Sequence, residues 1–151
     1  MSINLLLVPF FNFVFLAGAG VEPTTPCLKG KSVNLLYVNL AIHVVWYYVL
    51  YRLINEGIIA EIISEHIGMV HGTEGVVVKA EHTFLTAKSV LFDAVYMVRG
   101  SNTNVMFNKD AAYFIDEAYS HYKPIGATGE GIEWLRVNQI LGQPGVITGA
   151  D

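Results

Sequence analysis

The chain has a single cysteine, Cys27, so no disulfide can close within it. That agrees with a reducing compartment, and a cytoplasmic protein is expected. Charge is also scarce: 15% of the 151 residues are Asp, Glu, Lys or Arg, against about 25% in an average soluble domain. The nine basic residues are scattered among thirteen acidic ones, for a formal net charge of −4. Nucleic-acid binding relies on clustered positive charge that displaces phosphate counterions, so it is not expected. Metal-ligand spacing is missing as well. His43, His66, His71, His82 and His121 form no HxH, HExxH or Cys/His pair, and scattered histidines read as surface or loop residues rather than ligands.

The N-terminus has no positive charge before Lys29. Leu5 to Leu16 is nearly all apolar, broken by Pro9 and Asn12, and the small-residue stretch Ala17-Gly18-Ala19-Gly20 follows. A signal peptide would carry a basic segment ahead of its apolar core, and a spanning helix needs about 20 apolar residues. A membrane span is therefore not expected, although the apolar start leaves secretion or anchoring open. Residues 1–31 read as an apolar arm followed by a Pro-rich linker from Val21 to Lys31, packing on a partner or on the rest of a larger protein. A truncated or misjoined gene product is the other reading. Cys27 lies in that linker with Lys29 as its one basic neighbour, an incidental rather than a reactive thiol.

What the chain does have is apolar residues, 53% of the total. A parallel sheet buried on both faces consumes such an excess in near-continuous apolar strands. Val33 to Val38 is the first of these. Val44, Tyr47, Tyr48, Tyr51 and Ile54 then recur at helical spacing, with Gly57 as the stop, and Ile58 to Ile63 is the next strand. Strand, helix and strand within about 30 residues make a βαβ unit. Gly68 to Lys79 reads as a small hairpin around His71-Gly72-Thr73-Glu74-Gly75, and Phe92 to Val98 as another buried strand. Asn108 is a candidate N-cap for a helix running to Tyr122, with Ala111, Phe114, Ile115, Ala118 and Tyr122 on one face. A strand over Lys123 to Ala127, a helix over Ile132 to Leu141 and a strand from Val146 to Thr148 complete a doubly wound, mostly parallel α/β domain over residues 32–151.

The sharpest local motif is the turn Ala127-Thr128-Gly129-Glu130-Gly131 between a strand and a helix. Such an elbow can present a nucleophile beside helix N-terminal amides, or hold phosphate on those amides. Thr128 has no base beside it in sequence, and the glycines match neither the P-loop nor the dinucleotide fingerprint, so a tight crossover turn is the plainer reading. The aromatic group Trp46-Tyr47-Tyr48 with Tyr51 reads as core or interface rather than as a pocket lining.

Thr83-Phe84-Leu85-Thr86, Val90-Leu91-Phe92-Asp93-Ala94-Val95-Tyr96, Phe114-Ile115-Asp116-Glu117-Ala118-Tyr119 and Lys123-Pro124-Ile125-Gly126-Ala127-Thr128-Gly129-Glu130-Gly131 give the chain a family resemblance. From Val33 to Asp151 it resembles the ThiJ/PfpI superfamily, a flavodoxin-like, class I glutamine amidotransferase-like fold. More closely, it resembles the C-terminal domain of large-subunit haem catalases. The resemblance implies that the superfamily's elbow cysteine falls on Gly129, its following histidine on Glu130, its partner glutamate near Ile42, and its oxyanion loop on Val98-Arg99-Gly100. Glycine carries no nucleophile, so no catalytic residue is expected here; Thr128, Gly129 and Glu130 form a degenerate elbow. The resemblance further implies a parent enzyme that dismutes hydrogen peroxide in oxidative-stress defence. Its haem is held in a separate N-terminal domain, so neither haem nor a metal site is expected in this chain. The partner is then that haem domain, within an oligomer. The family pattern has a further helix after the strand at Val146, and the sequence ends before it, so a fragment lacking the last helix is expected. Two other functions follow from the same residues: a ThiJ/PfpI-like hydrolase or glyoxal-processing enzyme working through Thr128, and a holdase-like module capturing partners on exposed apolar surface.

Overall fold

The computed structural model describes residues 32–36, 50–51, 53–55, 57–71, 77–97 and 105–149. The readings made for residues 1–31, for His43 and Trp46-Tyr47-Tyr48, for Ile42 and for Val98-Arg99-Gly100 lie outside them. Five strands form one sheet: β1 (Ser32–Leu36), β2 (Ile59–Ile63), β5 (Ala94–Met97), β6 (Ile125–Thr128) and β7 (Val146–Gly149), in the order β2-β1-β5-β6-β7. Every pairing in it is parallel. Counted within this sheet alone, that is the 2-1-3-4-5 order of flavodoxin-like folds. The expected hairpin is present as β3 (Gly68–His71) and β4 (Val77–Ala80), an antiparallel pair apart from the main sheet.

The longer described helices are α1 (Val105–Ser120) and α2 (Gly131–Val137), beside a helical segment around residues 50–55 and a 3-10 turn at Ser89–Leu91. All four residues of β5 and all four of β6 are buried, as central parallel strands covered on both faces must be. α1 lays Ala111, Phe114, Ile115 and Ala118, spaced for one helical face, onto Val95, Met97, Ile125 and Ala127. Phe84 anchors the 83–86 turn to the same helix, its ring 5.5 Å from that of Phe114. That turn is closed by its own threonines: the Thr83 N–H donates to Thr86 Oγ1 at 3.0 Å, and the Thr86 hydroxyl donates to the Thr83 carbonyl at 3.2 Å.

Three chain reversals share one geometry. Gly57, at φ 75°, donates its N–H to the Ile54 carbonyl at 2.9 Å, and Ile58 donates to Leu53 at 3.0 Å. Tyr122, at φ 56°, donates to Tyr119 while Lys123 donates to Ala118. Gln139, at φ 58°, donates to Arg136 while Ile140 donates to Leu135. Each is a Schellman closure, in which a left-handed residue turns the chain and two otherwise free carbonyls are satisfied. In two of them the accompanying apolar pair is buried, Leu53 with Ile58 and Leu135 with Ile140.

These closures correct several expectations. Tyr122 does not extend the buried face of α1; it is the left-handed residue beyond the helix and is 95% exposed. α2 ends at Val137 rather than Leu141, because Gln139 reverses the chain. Asn108 does not cap α1, which begins at Val105; its side chain instead lines a small cavity between the helices with Trp134 and Val137. Tyr51 and Ile54 are more than half exposed, so the core residue of their helical segment is Leu53, not the tyrosine. The strand foreseen from Phe92 begins at Ala94, after a single 3-10 turn over Ser89–Leu91.

The outer edge of β2 is covered by the segment after β4. Ser64 donates its N–H to the His82 carbonyl, and the Glu81 and His82 amides donate to the Ile62 carbonyl, at 3.0–3.1 Å. The Ile62 N–H is taken by Glu81 Oε2 at 2.9 Å, and His82 Nε2 lies 2.5 Å from Glu61 Oε2. An open strand edge invites pairing with other chains, and this cover removes the invitation.

Candidate functional site

In a doubly wound sheet the ligand-binding rim lies at the carboxyl ends of the strands, and the elbow Thr128-Gly129-Glu130-Gly131 stands on that rim. β6 ends at Thr128. Gly129 turns the chain at φ 54°, and Glu130 is already right-handed helical, at φ −64° and ψ −19°. The position that the resemblance assigned to a nucleophile is thus the left-handed residue of the turn. It is a glycine, with nothing to attack a substrate.

Thr128 is mostly buried, with 9% of its surface exposed. The Tyr96 hydroxyl donates to Thr128 Oγ1 at 3.4 Å, a long contact between two buried groups. That bond uses the threonine oxygen as an acceptor and does not withdraw its proton, as a general base would. Within the first turn of α2, Ile132 N–H donates to the Gly129 carbonyl and Glu133 N–H to the Glu130 carbonyl, both at 3.1 Å. Glu133 adds negative charge to the first turn of α2 and pairs with Arg136. The elbow carries the chain directly from β6 into α2.

The structure scatters the described histidines. His66 is near Glu65 at 3.8 Å and largely exposed. His71 is exposed on β3, His121 is exposed after α1, and His82 belongs to the edge cover. Among the described residues no group of three His, Cys, Asp or Glu side chains could hold a metal ion. No described helix is long and apolar enough to cross a membrane.

A sequence model of the C-terminal domain found in long catalases matches residues 48–151. The chain belongs to this family of catalase C-terminal domains. It is 50% identical over 103 residues to a catalase of Alkalihalophilus pseudofirmus, covering 68% of this chain and 15% of that protein. It is 48% identical over 88 residues to Catalase-2 of Bacillus subtilis, covering 58% of this chain and 12% of that protein. The chain thus spans less than a sixth of the length of these relatives.

Solved structures similar to this catalase C-terminal domain carry the DJ-1/ThiJ/PfpI fold. Oxidized DJ-1 of Toxoplasma gondii matches with a TM-score of 0.67 at 12% identity, covering 81% of this chain and 83% of that one. A two-domain protein of Anabaena variabilis, with DJ-1/ThiJ/PfpI-like and ferritin-like domains, matches with a TM-score of 0.69 at 16% identity, covering 80% of this chain and 44% of that one. At such identities the likeness establishes the fold, and function is argued from the site.

The family name implies haem in the parent proteins, and the described residues of this domain do not fit that group. The buried tyrosine, Tyr96, has its hydroxyl 3.4 Å from Thr128 Oγ1. Two cavities among the described residues, at the carboxyl rim and between the helices, are about 200 and 230 Å³, each below the roughly 300–1,000 Å³ of typical ligand pockets.

Proposed function

We propose that this chain serves as the accessory C-terminal domain of a large-subunit haem catalase, whose peroxide dismutation takes place at a haem held by another domain. The observation that carries this reading is the family match over residues 48–151 together with glycine at the elbow's left-handed position. A domain of this kind contributes folding, stability or control of substrate access, and its partner is the haem domain within a catalase oligomer. Thr128-based hydrolysis draws no support from a threonine whose oxygen accepts from Tyr96.

The test is an absorbance spectrum of the purified chain with added haemin, beside a peroxide-decay assay. The expected result is no stoichiometric Soret band and no decay. A stoichiometric band with turnover overturns the reading. A second arm replaces the matching segment of the Alkalihalophilus pseudofirmus catalase with residues 48–151 of this chain. Peroxide turnover and resistance to thermal inactivation are expected to survive the exchange and to fall when the segment is deleted. An exchange that behaves like the deletion counts against an accessory role.

A further inference from the structure

A crevice of about 200 Å³ opens at the carboxyl rim of the sheet, and no elbow residue lines it. Three separate segments meet there: Ser64, Glu65 and His66 just after β2, Thr83 and Phe84 in the turn after β4, and Asp110 from α1. Ser64 is only 2% exposed. Its N–H is used by the His82 carbonyl, and its hydroxyl has no hydrogen-bond partner among the described residues. Two other buried polar side chains among the described residues differ in this respect. Ser89 donates to Glu117, and Thr128 accepts from Tyr96. A buried hydroxyl left open calls for an explanation, and one that lines an accessible crevice is satisfied by what enters it.

The chemistry of the walls selects the entrant. Asp110 is half-buried, and its carboxylate makes no hydrogen bond or ion pair among the described residues. Glu65 brings a second carboxylate, and no described lysine or arginine lines the space. An incoming group must therefore donate hydrogen bonds and carry positive charge. An ammonium group has three donors and no acceptor, and charge-assisted bonds to carboxylate are the strong ones. Phe84 supplies an apolar wall, and the volume limits the rest of the ligand to a few carbons.

We propose that this crevice binds a small primary ammonium cation with a short apolar body, held by the Asp110 carboxylate and Ser64 Oγ in the negative potential of Glu65. It is a binding site rather than a catalytic one. The His66 side chain is 85% exposed and lies 3.8 Å from the Glu65 carboxylate.

The test is an amide proton–nitrogen correlation spectrum of the full chain titrated with n-butylammonium chloride. Sodium butyrate and n-butanol at matched ionic strength serve as the anionic and neutral isosteres. The expected result is saturable shifts at the amides of Ser64, Glu65, Thr83 and Asp110 with n-butylammonium alone. Asp110→Asn is expected to weaken binding about tenfold, the loss of one charge-assisted hydrogen bond, and Ser64→Ala to weaken it by a smaller factor. The spectra report at once whether each variant is folded. Absence of saturation, equal shifts with n-butanol, or unchanged binding in folded Asp110→Asn overturns the proposal.

Discussion

A Cβ built on Gly131 would stand 2.8 Å from the carbonyl oxygen of Met97 and 3.2 Å from the Met97 Cβ. The first residue of α2 thus rests directly on the last residue of β5, and only a residue without a side chain allows the approach. Gly131→Ala is expected to destabilise the fold by about 1–3 kcal/mol through overpacking, although alanine in a helix ordinarily gains up to about 1 kcal/mol over glycine. The shift in urea midpoint measures the sum. An unchanged or raised midpoint would show that β5 and α2 can separate freely.

Tyr122 and Gln139 hold left-handed backbone with L side chains, and both are exposed. That conformation costs a non-glycine residue roughly 1–2 kcal/mol, offset in part by the extra freedom glycine gives the unfolded chain. Tyr122→Gly and Gln139→Gly are each expected to stabilise by about 0.5–1 kcal/mol. Gly57→Ala is expected to destabilise by a similar amount, read from the same unfolding curves.

Ser89 is fully buried, and its hydroxyl donates to Glu117 Oε2 at 2.7 Å, fastening the turn before β5 to α1. Because Glu117 is half-buried, a coupling of about 1 kcal/mol between Ser89→Ala and Glu117→Gln is expected. A double-mutant cycle by denaturant unfolding gives it directly.

Glu81 Oε2 takes the Ile62 N–H on the outer edge of β2. Glu81→Ala is expected to speed hydrogen exchange at the Ile62 amide about tenfold or more, and to raise the rate of aggregation on warming, with a stability loss of about 1 kcal/mol. Unchanged exchange at Ile62 would mean that the backbone bonds from residues 81 and 82 suffice alone.

Thr128→Val removes the hydroxyl that Tyr96 meets at 3.4 Å. A contact this long is weak, so the variant is expected to lie within about 1 kcal/mol of the parent. A much larger loss, seen as a shifted unfolding midpoint, would give the elbow a structural weight the geometry does not predict.

The sheet was legible in the residues because its strands are short apolar runs bounded by turn signals, and Gly57 announced its own reversal. Tyr122 and Gln139 gave no such sign: neither is a residue type favoured in left-handed backbone, and the helical period runs through both positions. The cover on β2 joins residues 19 to 21 apart, a relationship that no local pattern carries. At the elbow, Gly129 and Glu130 were readable as departures from the pattern the resemblance implies. The ammonium crevice was not readable, because Ser64, Thr83 and Asp110 come together only once β2, the 83–86 turn and α1 are in place.

The three left-handed closures have a consequence for how such a domain can change. Each delivers the chain to a following strand from below, by backbone bonds that ask little of side chains on the opposite rim. A nucleophile at the upper rim can then be exchanged for glycine while the scaffold beneath it stays intact.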